Sequence, residues 1–234
     1  MRAAWILAAI LLLGLGLRLW GLSFGLPNTT CRPDESTLVQ RALAIGAGDP
    51  NPHFFNYPSL HFYLLACLYG VYYIAGNFAG PVAFETQFLT DPSPFYLIGR
   101  VTGALLGAAS VWLLYGIGCR LGGRAAGMAS AFFLACSFLH VRDSHFLTVD
   151  VPATFWLLAS LLCISRHSEG KGIRDLLLAA TLLGMAASTK YTAGLFLISL
   201  LVASWRGAAG GRERLARLSW VLAITGAAFV AGSP

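Results

Sequence analysis

Two adjacent carboxylates, Asp34 and Glu35, follow Arg32-Pro33 directly after an N-terminal apolar run. A carboxylate set beside a hydroxyl or amine can take its proton, for which placement matters first and proton affinity second. Pro33 fixes its own φ and holds Arg32 extended, so the chain leaves the apolar run and a carboxylate can project from it. The same side chains would also suit the positive start of a helix over 36–46, with Ser36 as its cap. Both readings stand on the sequence.

A second group runs from Arg142-Asp143-Ser144-His145 to Asp150-Val151-Pro152, again past an apolar run. The planar fork of Arg142 matches a phosphate, and Asp150 can orient it or hold a polar substrate. Their plainer roles are a snorkelling arginine and a helix-start aspartate. Lys190-Tyr191 interrupts the apolar stretch 175–205. Lys190 is either a cation for a lipid-linked phosphate or the wet apex of a hairpin. Arg18 and Arg100 lie inside apolar runs, where a cation is a functional candidate unless it snorkels. His53, His61, His140 and His145 form no HExxH pattern. Asp34 and Asp150 could share a divalent ion through oxygen ligands. The basic residues already supply counter-charge to a phosphate, so the chemistry reads as metal-free with no cofactor required.

The elements that must hold these groups are membrane helices. The chain is 57% hydrophobic and 11% charged, with mean hydropathy +0.69, which excludes an ordinary soluble domain. Apolar runs near the length a bilayer needs, about 20 residues, recur along it. The first follows Arg2 and lacks a small-residue cleavage site, so it reads as a retained signal anchor. The net charge of +6 gathers in short links between runs, at Arg120 and Arg124, at Arg166, Lys171 and Arg174, and at Arg206, Arg212, Arg214 and Arg217. That is a topology signal facing the cytoplasm rather than a nucleic-acid footprint. The five cysteines show no metal spacing; inside apolar runs they act as small hydrophobes, and a Cys31–Cys67 bridge is not expected. Asn28-Thr29-Thr30 fits a glycosylation sequon.

The charge bias also weighs between two readings of 59–79, an interfacial or re-entrant segment and an ordinary span with unusual loop charges, and favours the first. If 59–79 crossed the bilayer, the Arg120/Arg124 and 166–174 links would face outside. The run is aromatic (Phe62, Tyr63, Tyr69, Tyr72, Tyr73, Phe78), as befits the headgroup zone. The expected architecture is therefore an all-α transmembrane bundle of one domain over 1–234. Its spans fall near 3–24, 96–119, 125–141, 151–165, 175–189, 191–205 and 219–234. The external loop 25–95 carries short amphipathic juxtamembrane helices. Asp34/Glu35 and Arg142/Asp150 then share one face. The chain ends just past its last apolar run, as the front portion of a longer protein would.

With these residues placed, the chain resembles the GT-C superfamily of integral-membrane glycosyltransferases, within it the dolichyl-phosphate-mannose–protein mannosyltransferase and lipid A aminoarabinose transferase group. Pro33-Asp34-Glu35 resembles the acidic first-loop motif. Asn56-Tyr57-Pro58-Ser59-Leu60 resembles the Pro/Leu motif before an aromatic juxtamembrane helix. Cys119-Arg120-Leu121-Gly122-Gly123-Arg124 is similar to the basic cytoplasmic turn. The segment from Arg142 to Asp150-Val151-Pro152 resembles the second-loop Arg…Asp pattern, and Ser188-Thr189-Lys190-Tyr191 the Lys motif. The likeness implies a GT-C bundle in a plasma (inner) membrane with an extracytoplasmic site. It implies a polyprenyl-phosphate sugar donor, mannose-like or aminoarabinose-like, and a protein, lipid or glycan acceptor. Asp34 is then the base and Glu35 its support. Asp150 shapes the site, Arg142 and Lys190 meet the donor phosphate, and Tyr57, His61 and Arg100 contribute to substrate binding. The competing class is a transporter or flippase of lipid-linked or polar substrates, which would show two related halves; no such repeat is present. A non-catalytic scaffold is the third reading.

Overall fold

The computed structural model describes residues 2–29, 32–170, 172–206, 208 and 210–234. Thr30, Cys31 and Lys171 lie outside this set, and with them the sequon's hydroxyl, the Cys31–Cys67 pairing and part of one basic link. The regular elements among the described residues are helical: α1 (Arg2–Leu19), α2 (Pro33–Gly46), α3 (Leu60–Ala75), α4 (Pro81–Thr90), α5 (Ser93–Cys136), α6 (Phe138–Ser144), α7 (Asp150–Ser168), α8 (Ile173–Ala187), a 3-10 turn (Tyr191–Phe196), α9 (Leu197–Arg206) and α10 (Gly211–Gly232).

The expected runs 96–119 and 125–141 are the two arms of α5. They meet at a kink where Gly122 (φ −145°) and Gly123 (φ 76°, ψ −175°) leave helical geometry. Only glycine takes the Gly123 conformation without strain. The arms fold back on small residues: a Cβ on Gly118 would lie 2.8 Å from the Gly127 Cα, the close approach that membrane helix pairs use. At Ser137 (φ −60°, ψ 113°) the second arm breaks before α6.

Several expected boundaries move. The first run is helical only to Leu19. The helix expected over 36–46 begins at Pro33, with Arg32 at the N-cap position and Asp34 and Glu35 in its first turn; Ser36 lies inside it and does not cap it. Proline at the first helical position loses no hydrogen bond, because that N–H has no partner in a helix anyway. The run 191–205 is a 3-10 turn followed by ten residues of α-helix.

The helices stack so that the two ends of the bundle differ. At one end Arg120 pairs with Glu169, and Arg166 with Asp175 at 3.1 Å. The other end gathers the start of α7 and the ends of α1, α8 and α10. Both ends of α3 sit there too. The Leu60 N–H donates to the Ser188 carbonyl at 3.0 Å, while the Tyr72 ring packs 5.7 Å from Phe95 at the start of α5. Phe84, Phe88 and Tyr69 close around Phe95 with edge-to-face geometry at 5.0–5.5 Å, which adds to their burial. Against α2 the same cluster buries Leu38, Val39, Phe62 and Leu65 completely or nearly so.

The outer surface is apolar. Trp5 is 76% exposed, Trp112 54% and Trp220 64%. They lie on α1, α5 and α10, the three helices among the described residues that are long and apolar enough to cross a bilayer. Patches of that extent mark a hydrocarbon-facing surface. The protein is an integral, multi-pass membrane protein with an all-α fold.

Candidate active site

Glu35 and Arg100 meet at the bundle end just described. Arg100 Nε donates to Glu35 Oε1 at 2.9 Å and Nη2 to Oε2 at 2.6 Å, the two-pronged geometry that only a guanidinium offers. Its Nη1 donates to the carbonyls of Leu22 and Phe24 at 2.7 and 2.8 Å. Those carbonyls lie in the turns after α1, so one arginine on α5 fastens α1's exit to the start of α2. Glu35 is 1% exposed and Arg100 2%. Neither snorkels.

Glu35 Oε1 also accepts the Leu147 N–H at 2.7 Å. This ties the α6–α7 loop to α2. The Leu147 side chain fills the space over Gly99: a Cβ there would come within 1.7 Å of Leu147 Cδ1. Gly99→Ala is therefore expected to displace Leu147 and loosen its hold on Glu35. Overpacking of this kind costs about 1–3 kcal/mol, to be read as a lower unfolding midpoint in detergent. Gly16→Ala, inside α1 with open space at its Cβ, should hold the midpoint or raise it, since alanine is the better helix former. The loop is pinned twice more. The Arg32 guanidinium sits 4.1 Å from the centre of the Phe146 ring, and the His145 ring reaches the Val141 and Trp20 carbonyls at 2.7 and 2.8 Å.

Three residues past Leu147, Asp150 opens α7 and pairs with Lys190, which lies in extended conformation just after α8. Three residues of extended chain reach about 11 Å at most, so Asp150 and Lys190 stand close to the Glu35 region. Tyr191 donates its hydroxyl to the Phe55 carbonyl at 3.3 Å. The 53–60 segment is thus strapped over the Lys190 loop at Tyr191 and again at Leu60. Tyr57 is half-buried in that strap, its ring 5.7 Å from Phe54. His61 is 2% exposed, and its Nδ1 has no partner among the described residues. Burial pushes its imidazole down to about 4, so the ring is neutral near pH 7.

Asp34 differs from its neighbour. It is exposed and forms no ion pair among the described residues. Successive residues of a helix point about 100° apart, so burying Glu35 turns Asp34 outward. Arg142 is also exposed and pairs with the adjacent Asp143 at 2.8 Å. At the start of α5, Asp91 Oδ1 accepts the Ser93 N–H at 3.0 Å. The Ser93 hydroxyl, then its N–H, holds the Asp91 carboxyl below the usual carboxylate range.

Arg18 is fully buried and meets carbonyls rather than a carboxylate. It donates to Gly14 O at 2.8 Å, Ala135 O at 3.1 Å, Leu134 O at 2.9 Å and His140 Nδ1 at 2.9 Å. Leu134 and Ala135 end the second arm of α5, where unpaired carbonyls favour a cation. Arg18 is thus a staple between α1 and α5. The fold gathers Asp34, Glu35, Arg100, Asp150, Lys190 and the Tyr57–His61 strap at one end: Glu35, Arg100 and His61 are buried, Lys190 and Tyr57 partly so, and Asp34 and Asp150 are exposed. The contacts of Arg32, His145 and the Leu147 N–H were not expected from the sequence, although Arg32 and His145 stand in the two groups it singles out. Each acts through a contact distant in the chain, and no local spacing announces it. Among the described residues no cluster of His, Cys, Asp and Glu could hold a metal ion.

No curated protein matches the chain. A solved structure, the S. cerevisiae protein O-mannosyltransferase Pmt1-Pmt2 complex bound to the sugar donor, matches with a TM-score of 0.67 at 22% identity. The match covers 99% of this chain and 33% of that one, so the chain spans a third of its length. At that identity the likeness is one of fold. The profile of the dolichyl-phosphate-mannose-protein mannosyltransferase family matches residues 97–234, which include both α5 arms, the Asp150 loop and Lys190. The matched region makes up more than half of the chain, and this chain belongs to the dolichyl-phosphate-mannose-protein mannosyltransferase family.

Proposed function

We propose that the chain forms the sugar-transferring part of an extracytoplasmic glycosyltransferase with a polyprenyl-phosphate-linked donor, mannose-like or aminoarabinose-like. The acceptor is a hydroxyl or amine of a protein, lipid or glycan. The observation that carries this reading is the division of labour in the acidic pair: Glu35 is consumed by Arg100 and the Leu147 N–H, while Asp34 is exposed beside it.

In this mechanism Asp34 takes the acceptor's proton as the acceptor oxygen or nitrogen attacks the anomeric carbon. The bond from that carbon to the phosphate oxygen breaks on the opposite face, so one displacement inverts the configuration. The leaving lipid phosphate needs no proton, because Lys190 and Arg142 offset its developing charge; fixed charges of this kind stabilise a transition state without reorganising. Asp150 holds Lys190 in place until the donor arrives. Tyr57 borders the substrate, and the neutral His61 supports the strap behind it. Glu35 and Arg100 position Asp34 and touch no substrate.

The reading requires 59–79 to stay at the outer surface, with the basic end in the cytoplasm. Support comes from both ends of α3 meeting the same end of the bundle. Single cysteines at Asp34, Ala75, Gly122, Asp150 and Lys190, on a cysteine-free background in intact cells, test it. Impermeant maleimide is expected to label Asp34→Cys, Ala75→Cys, Asp150→Cys and Lys190→Cys but not Gly122→Cys. Labelling of Asp34→Cys and Asp150→Cys from opposite sides would sink the shared site and advance the transporter.

A further inference from the structure

A cavity of about 570 Å³ opens between α2, α3 and α4, within the range of about 300–1,000 Å³ typical of small-ligand sites. Small residues, Ala44 on α2, Ala47 just past its end, and Ala66 and Gly70 on α3, hollow it out. Tyr69, Tyr73 and Phe84 supply aromatic wall. Glu85 is the one charged side chain among its described lining residues. It is exposed and enters no ion pair among the described residues. On α3 Val71 is 62% exposed and Ile74 75%, and on α4 Val82 is 76% and Leu89 73%. The cavity therefore combines an apolar interior, an outward-facing apolar flank and a lone carboxylate.

We propose that this cavity is a lipid site that takes the hydrocarbon chain of a membrane lipid bearing a primary ammonium head, with the ammonium at Glu85. The apolar interior fits a hydrocarbon chain. The exposed valine, isoleucine and leucine side chains set α3 and α4 against the acyl region, so such a chain enters without crossing water. The carboxylate, with aromatic faces beside it, selects a cationic head. An anionic head finds no basic partner among the lining residues. The site is separate from the Asp34 region and does not depend on sugar transfer.

The test uses the full chain in nanodiscs of equal phosphatidylethanolamine and phosphatidylglycerol with identical chains. Each lipid in turn carries a photoreactive group on its tail, and adducts are mapped by mass spectrometry. Adducts on 43–47 and 66–73 are expected to favour phosphatidylethanolamine by roughly threefold, the preference a partly exposed charge pair supports. Glu85→Lys, at an exposed position that leaves the fold intact, should reverse the preference. Ala44→Phe should reduce adducts of both lipids. Equal labelling of the two lipids by the unaltered chain would overturn the proposal, as would a preference unmoved by Glu85→Lys. Displacement of the lipid by a lysine-bearing acceptor peptide would assign the cavity to polypeptide instead.

Discussion

Asp34→Asn is expected to cut transfer from a polyprenyl-phosphate sugar by about 10²–10⁴-fold, the range a positioned general base contributes. The loss should fall on kcat, with KM for the donor little changed, because an amide of the same size keeps the surface and removes only the proton acceptor. Stability is expected to stay within about 0.5 kcal/mol, as for other exposed substitutions. Asp34 is exposed and forms no ion pair among the described residues, so its charge serves the fold only through its place in the first turn of α2. Asp34→Glu, which keeps a carboxylate but moves it by a methylene, should restore part of the rate. A variant that transfers at the unaltered rate would remove Asp34 from the chemistry. One that loses donor binding in the same proportion as rate would assign it to the donor.

The pair Asp34-Glu35 illustrates how far the sequence carries. Its place past an apolar run marks it as a candidate, and the clustering of arginines in short links marks the opposite end of the bundle. The expectation that 59–79 stays at the outer surface rests on its aromatic richness and on the charge bias of the links. What the residues do not reveal is which of two adjacent carboxylates faces inward. That choice is made by Arg100, 65 positions away, and by the Leu147 N–H, 112 positions away. The same holds for Arg18: in the sequence it is an arginine near a helix end, free to snorkel. The Leu134 and Ala135 carbonyls that hold it are supplied by the broken end of α5. Boundaries drifted for a related reason. Hydropathy continues through 20–24 and 191–196, yet the backbone there turns, with a positive φ at Gly21 and 3-10 geometry from Tyr191.

Removing either partner of the Glu35–Arg100 pair should damage the fold more than any other single change at this site. Arg100→Ala leaves a buried carboxylate with only the Leu147 N–H, and it frees the Leu22 and Phe24 carbonyls. A buried charge stripped of its partner costs about 3–5 kcal/mol. The unfolding midpoint in detergent should fall steeply, and expression with it. Arg100→Lys is expected to restore little, since an ammonium on a flexible stem cannot serve both carboxylate oxygens and two carbonyls together. Glu35→Gln should cost less than Arg100→Ala, because the amide oxygen can still accept from the arginine. The double variant Glu35→Gln/Arg100→Met should lose clearly less than the sum of its parts, by a coupling within about 0.5–3 kcal/mol. Sugar transfer by surviving folded protein then separates the two roles. If Arg100→Lys folds poorly but its folded fraction keeps an unaltered KM for the donor, the pair is a fastener. If Arg100→Lys folds normally and fails to bind donor, the guanidinium is reaching the substrate, and Glu35 serves to aim it.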